Sequence, residues 1–435
     1  MRTGYAFRLI TPALLGVLTA CIDAPQQITE SEGSSYPTEM SAAVTPADLA
    51  LLGKQLFEDP NLSVNRNQSC QTCHEPSQGF AAALRGVTSR GSVVQGSVTG
   101  KFGDRKPPSA AYAAFVPAFS ASGNGGTGGN FWDGRATGKV LGNPAADQAL
   151  GPFLNPAEQA LPDAACVVKR VKDSGYVNAY TAAWGSDILS ITFPATTETI
   201  CGTAVSSPGT PVALSGADRA KVTTAYNNIA LSIAAFEKSS AVSKFSSRFD
   251  RGNLTALEKD GAKLFSSKGK CHQCHPSNAS PALFADFNYH NIGAPLNPDN
   301  PVYNYTTRVY DSGLGNVTGR SAHLGKFRTP TVRNTALGNN RTYLHNGVLT
   351  SVKQVVDFYN TRDLLPVCTD AQLASLTPAQ YGSYDPDGSG PLVAGRCWPT
   401  PEIPVNLDTK QMGNLGLTEA QVNAIVAFIS ALNDQ

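Results

Sequence analysis

The sequence predicts a mainly α-helical chain built from two similar halves, with long irregular loops and little β structure. Three observations carry that reading. Apolar residues recur at helical spacing in segments 45–57, 254–265 and 418–432. Two of these segments contain near copies, Gly53-Lys54-Gln55-Leu56-Phe57 and Gly261-Ala262-Lys263-Leu264-Phe265, so the chain reads as an internal duplication split near residue 250. Between the helices run Gly-, Pro- and Ser-rich stretches (86–129, 206–216 and 385–390) that lower the helix content without suggesting a sheet.

The bulk properties narrow the class. With 435 residues, 41% apolar and 15% charged, the chain is globular and long enough for two or three domains. A net charge of +1 gives no electrostatic case for nucleic acid.

Taken in order, the chain opens with Arg2 and Arg8 and an apolar run over 9–18, too short to span a bilayer as a mature helix. Residues 1–20 therefore read as a signal peptide. It ends in Leu18-Thr19-Ala20-Cys21, which resembles a bacterial lipobox, with Cys21 as the lipidated first mature residue; plain cleavage after Ala20 is the alternative. Ile22, rather than Asp, after the cysteine favours an outer-membrane destination. Residues 21–45 are rich in Ser, Thr, Glu and Pro and read as a flexible tether in the periplasm. Thr45-Pro46 then sets an N-cap and a first-turn proline for the first helix.

That helix delivers the chain to Cys70-Gln71-Thr72-Cys73-His74, and its near copy delivers it to Cys271-His272-Gln273-Cys274-His275. In a Cys-x-x-Cys-His box the two thiols bond to haem vinyl groups and the histidine ligates the iron. Two such boxes on an exported chain predict two covalent haems c. Zinc would need four closed ligands, and nothing pairs the boxes into such a set. Structural disulfides would leave both adjacent histidines unexplained. Residues 46–250 and 251–435 thus read as two cytochrome c-like haem domains.

Of nine cysteines, Cys21 and the four box residues leave Cys166, Cys201, Cys368 and Cys397. An even remainder in an oxidising compartment reads as two disulfides. Three pairings are open, besides free thiols; Cys166–Cys201 with Cys368–Cys397 is favoured because each closes a loop inside one half. The 385–390 stretch, Asp385-Pro386-Asp387-Gly388-Ser389-Gly390, lacks the closing acidic ligand of a calcium loop and reads as a solvated turn.

Four further segments carry a resemblance: Phe131-Trp132-Asp133-Gly134-Arg135-Ala136, Tyr289-His290-Asn291-Ile292-Gly293, Phe327-Arg328-Thr329-Pro330-Thr331-Val332-Arg333-Asn334 and Tyr343-Leu344-His345-Asn346-Gly347. Together with the two boxes, over roughly residues 46–435, the sequence resembles the bacterial dihaem cytochrome c peroxidase and MauG family. The resemblance implies that sixth ligands decide the chemistry, because an iron with an open face can cleave peroxide and a closed one passes electrons. None of the six histidines lies between His74 and His272, so the first haem lacks the loop histidine that closes the resting site in many relatives. At the position of the second haem's methionine the sequence has Tyr359, as in the MauG-like (and MbnH-like) branch. A phenolate stabilises ferric and higher-valent iron. Met412, or no residue, is the alternative ligand.

By the same resemblance, Glu158 is the acid/base that moves a proton between the peroxide oxygens, Gln148 its hydrogen-bonding partner, Pro152 a steric wall, and Trp132 the electronic bridge between the haems. His290 and His323 read as satisfied structural histidines, His272 as exposed, and His345 as shaping the second haem's surroundings. Trp184 and Trp398 read as packing residues. Family members often bind calcium through an Asn-x-Pro segment; here Lys106 stands at that Asn, which puts calcium in doubt. The implied activity is oxidation by hydrogen peroxide to a high-valent bis-haem state that modifies tryptophan in an exported partner protein. The rivals are a cytochrome c peroxidase drawing electrons from a small c-type cytochrome, and a non-enzymatic electron-transfer cytochrome.

Overall fold

A computed structural model describes residues 44–82, 89–90, 92–205, 209–303, 309–338, 341–382 and 396–435. Cys21, Met40, nearly all of the 21–45 tether and the 385–390 loop lie outside them. The Pro46–Glu58 helix starts because Thr45 and Asp48 cap each other: the Asp48 amide donates to Thr45 Oγ1 at 3.2 Å and the Thr45 amide to Asp48 Oδ2 at 3.1 Å. Its buried stripe is Leu49, Leu52, Gly53, Leu56 and Phe57. Against it lies the longest helix, Gly216–Lys238. At the crossing, a Cβ on Gly53 would sit 2.7 Å from the Ser232 carbonyl carbon and 2.9 Å from Phe236 Cβ, so the two backbones are in contact.

The second half repeats this. Thr255 and Glu258 cap the Ala256–Ser266 helix, which packs on the C-terminal Glu419–Ser430 helix. A Cβ on Gly261 would sit 2.7 Å from the Ala424 carbonyl carbon and 2.8 Å from Phe428 Cβ. The aromatic packing repeats as well: Phe57–Phe236 and Phe265–Phe428 stand edge to face with centroids 5.3 and 5.2 Å apart, and Phe57–Phe80 and Phe265–Phe284 at 6.3 Å each. Burial of each such ring is worth roughly 1.5–3 kcal/mol.

Two apolar cores result, one drawn from residues between Leu49 and Val242 and one from residues between Phe265 and Leu432. A smaller cluster around Val348, Phe358, Trp398 and Met412 flanks the second. The Cys166–Cys201 disulfide lies in the first core, with Cα atoms 5.4 Å apart. The Cys368–Cys397 disulfide, at 4.8 Å, adjoins Trp398.

β structure among the described residues is limited to three two-stranded antiparallel ribbons, Ser89–Arg90 with Val93–Val94, Ser120–Ser122 with Gly125–Thr127, and Tyr289–His290 with Phe327–Arg328. The two halves are joined by buried polar contacts: Arg333 makes a bidentate pair with Asp250 at 2.6 and 2.9 Å, and Arg105 grips Asp311 at 2.5 and 2.8 Å. The described residues, from 44 on, accordingly form one compact unit.

Candidate haem and peroxide site

Each box is a tight turn that ends on its histidine. The His74 amide donates to Cys70 O at 2.9 Å and the His275 amide to Cys271 O at 2.8 Å. The two imidazoles are then oriented alike: His74 Nδ1 donates to Phe80 O at 3.2 Å and His275 Nδ1 to Phe284 O at 2.8 Å. A carbonyl only accepts, so the proton is on Nδ1 and Nε2 keeps its lone pair for a metal. Phe80 and Phe284 both adopt left-handed backbone (φ 57° and 50°), a costly conformation for a bulky residue that aims their carbonyls at the rings. Burial holds both imidazoles neutral by lowering their pKa values.

The four box thiols are unpaired and partly buried. Burial pushes Cys73 and Cys271 up to about 12 and Cys70 higher still, the opposite of what a redox-active dithiol needs. Two pairs of adjacent unpaired thiols, each followed by a half-buried neutral imidazole whose Nδ1 is engaged by a backbone carbonyl, fit covalent haem on this chain's own donors.

A cavity of about 920 Å³, partly open to solvent, lies on the first box. Cys73, His74, Trp132, Arg135, Gln148 and Glu158 line it; Pro152 is not in its wall. Glu158 Oε1 accepts from Asn155 Nδ2 at 2.7 Å. Burial raises its carboxyl to about 7, against the pull of the Arg135 guanidinium and with a further push from Asp104. Arg135 lies 3.7 Å over the Phe131 ring and pairs with Asp133 at 2.8 Å. Asp133 also takes Arg105 at 2.6 Å; burial alone would raise its carboxyl, but the two guanidiniums hold it down at about 2. Beyond His74, the cavity wall offers no imidazole and no thioether among the described residues.

The same cavity contains a group that sequence reasoning missed. Glu237, near the end of the Gly216–Lys238 helix, is 4% exposed, its Oε2 has no hydrogen-bond partner, and burial raises its carboxyl to about 8. The repeat contains the only signal: aligning Phe236 with Phe428 places Glu237 opposite Ile429.

At the second box, Tyr359 of the Val352–Thr361 helix packs against the second core, which contains Phe265 and against which Cys271 and Tyr343 also pack. Burial, then the nearby Cys274 and Cys271, raise its phenol above the usual range. Met412 is buried with Phe358 and Trp398. Cys274, Asp286 and His290 converge within 4.8 Å, but this is an ion-paired cluster. His290 lies 3.5 Å from both Asp286 and Asp408; burial alone would lower its pKa, yet the carboxylates raise it to about 11, a protonated state with no lone pair for a metal.

The four signature segments contact one another. Trp132 Nε1 donates to Lys106 O at 2.8 Å, and the Arg328 amide to Trp132 O at 2.9 Å. Gly134 (φ 77°) lies against the Tyr289 hydroxyl, which donates to Gly128 O at 2.7 Å. His345 stacks on Phe327 at 3.6 Å and reaches Glu402 at 3.3 Å. His323 is buried between Thr318 Oγ1 and Gly123 O, and His272 is exposed. Trp184 and Trp398 bond to Ser232 and Thr361 hydroxyls.

Comparison with known proteins agrees with this arrangement. Residues 47–256 match the family described as di-haem cytochrome c peroxidase. The chain is 32% identical over 415 residues to methylamine utilization protein MauG of Paracoccus denitrificans, covering 90% of each chain. It is 28% identical over 358 residues to cytochrome c551 peroxidase of Nitrosomonas europaea, covering 80% of this chain and 84% of that one. Among solved structures, the diheme peroxidase BthA of Burkholderia thailandensis superposes with a TM-score of 0.62 at 26% identity, over 90% of this chain and 89% of that one. With paired haem boxes, a mainly helical fold and these relatives, the chain belongs to the di-haem cytochrome c peroxidase and MauG family of haem-dependent oxidoreductases.

Proposed function

We propose that this protein uses hydrogen peroxide to oxidise tryptophan side chains of an exported partner protein, as the MauG-like branch does. The observation that carries the reading is the asymmetry of two otherwise matched sites: a cavity with Glu158 and Gln148 at the first box, and Tyr359 packed against the second. Cys70, Cys73 and His74, and Cys271, Cys274 and His275, would hold two haems c, whose irons would supply the redox chemistry toward peroxide.

The chain's own groups do the rest. A carboxyl poised near neutrality exchanges protons readily at physiological pH, so Glu158 takes a proton from the inner peroxide oxygen and returns it to the outer one, which leaves as water. Asn155 fixes the Glu158 oxygen, and Gln148 offers an amide to the peroxide. Tyr359 would offer the second iron a hard oxygen ligand suited to oxidised metal. Trp132, in the wall of the first cavity and held by Lys106 and Arg328, bridges the two sites. Over the full reaction one peroxide, two protons and two electrons from the substrate give two waters. An exported chain anchored through a lipid on Cys21 would meet its partner at the membrane surface.

Electron paramagnetic resonance of the ferric holoprotein tests the reading. We expect one high-spin and one low-spin haem, with loss of the low-spin signal in Tyr359→Phe; two low-spin signals in the wild type would sink it. Peroxide and candidate partners should then give oxygen insertion at tryptophan by mass spectrometry, whereas rapid turnover with a reduced small c-type cytochrome would favour a peroxidase like that of Nitrosomonas.

A further inference from the structure

A second cavity of about 730 Å³ shares Lys106, Pro108, Ser109, Ala113, Trp132 and Arg328 with the first. Its wall has four cations, Lys106, Arg328, Arg333 and Arg341, and no Asp or Glu among the described residues. Only Arg333 has a carboxylate, Asp250. Arg328 and Arg341 reach backbone carbonyls alone, and Arg341 Nε has no partner. Lys106 is 7% exposed, and its ammonium pairs with no carboxylate among the described residues. Three buried cations without counter-charge cost several kcal/mol each unless an anion joins them. Consistently, burial lowers Lys106 to about 7 and pulls Arg328 and Arg341 down.

The backbone shows that this placement is built. The Lys106 amide donates to His345 O at 2.9 Å and its carbonyl accepts the Trp132 indole, so contacts from both halves fix it beside the bridging tryptophan. Of the two cavities that it joins, one lies on the first box and the other is lined by neighbours of the second. One contains Cys73 and His74; the other is lined by Leu283, next to the carbonyl that orients His275, and by Tyr343, which packs with Tyr359 in the second core.

We propose that Lys106, with Arg328 and Arg341, forms an anion site for the carboxylate side chains of both haems, and that the Lys106 ammonium is their shared counter-ion. One fixed charge then sets the electrostatic environment of both irons, and no divalent cation is needed between them. The inference rests on the two haems and not on what they oxidise, so failure of the partner assay leaves it standing.

Redox titration of holoprotein tests it. Lys106→Gln should lower the midpoint potentials of both haems, because a lost positive charge favours the ferric state, and Lys106→Arg should retain them. Unchanged potentials, or a shift confined to one haem, would overturn it. Should Lys106→Gln not load both haems, wild-type resonance Raman decides: propionate bending bands of both haems should shift in D₂O through exchange of the N–H donors, and unshifted bands refute the site. Acetate or phosphate should leave the wild-type spectrum unchanged; a saturable response retained in Lys106→Arg and abolished in Lys106→Gln would show that the cavity takes free anions instead. Stoichiometric calcium whose removal by chelator alters either haem spectrum would also refute the proposal.

Discussion

Replacing Glu237 by Gln should stabilise the protein, increasingly so as pH rises. Glu237 is buried with an unpartnered oxygen, and its carboxyl is raised from 4.5 to about 8. A group whose folded pKa is raised contributes stability that is complete below the unfolded pKa and is lost as pH climbs through the folded one. Glutamine mimics the neutral acid at every pH, so the difference between variant and wild type measures that loss. At about 1.4 kcal/mol per pH unit, it should be about 1 kcal/mol at pH 5, about 3 at pH 7, and level off near 5 above pH 8. For a half of 150–250 residues, where 1 kcal/mol moves the midpoint by roughly 2–4 °C, the gain at pH 7 is on the order of 10 °C. Calorimetry of both holoproteins at pH 5 and pH 7 supplies the measurement. An equal difference at the two pH values, or a less stable variant at pH 7, would refute the argument and show that Glu237 has an anion-stabilising partner in the holoprotein.

Further outcomes follow from the other groups. Glu158→Gln should slow reaction with peroxide by roughly 10²–10⁴-fold; stopped-flow rates for the wild type should rise with pH through about 7 as its carboxylate forms, and that rise should vanish in the variant. Gly53→Ala and Gly261→Ala each force a methyl group into the opposing helix backbone, costing roughly 1–3 kcal/mol or more by overpacking. Each should perturb the spectrum of its own haem before the other's, and equal perturbation of both haems by either variant would contradict the repeat.

The fold was legible where local signals are strong. Thr45-Pro46 and Thr255 mark helix starts that the capping contacts reproduce, and the Gly-x-x-Leu-Phe copies mark the two crossings. The loops were harder to read: ribbons such as Tyr289–His290 with Phe327–Arg328 are two residues long and pair segments far apart in sequence, leaving no alternation to detect. At the site, the boxes stood out because their spacing is covalent chemistry. Glu158 and Gln148 were found only through family resemblance, since an isolated loop carboxylate has no periodicity. Glu237 gave no local sign, because a lone glutamate in a helix looks like solvated surface; its burial beside the first box is a feature only three dimensions reveal. The cationic cavity was equally silent, being assembled from Lys106, Arg328 and Arg341, more than 200 residues apart at the extremes.

The matched cradles of Phe80 and Phe284 have a consequence for how such a pair of centres diverges. Because equivalent carbonyls, edge-to-face rings and glycine crossings serve the two imidazoles, that scaffold would not by itself distinguish the reactive from the storage centre proposed above. The distinction has to come from what is added around the common frame, as with the 148–158 segment on one side and the helix bearing Tyr359 on the other. Two such matched frames could thus specialise by exchanging attachments while both stay intact.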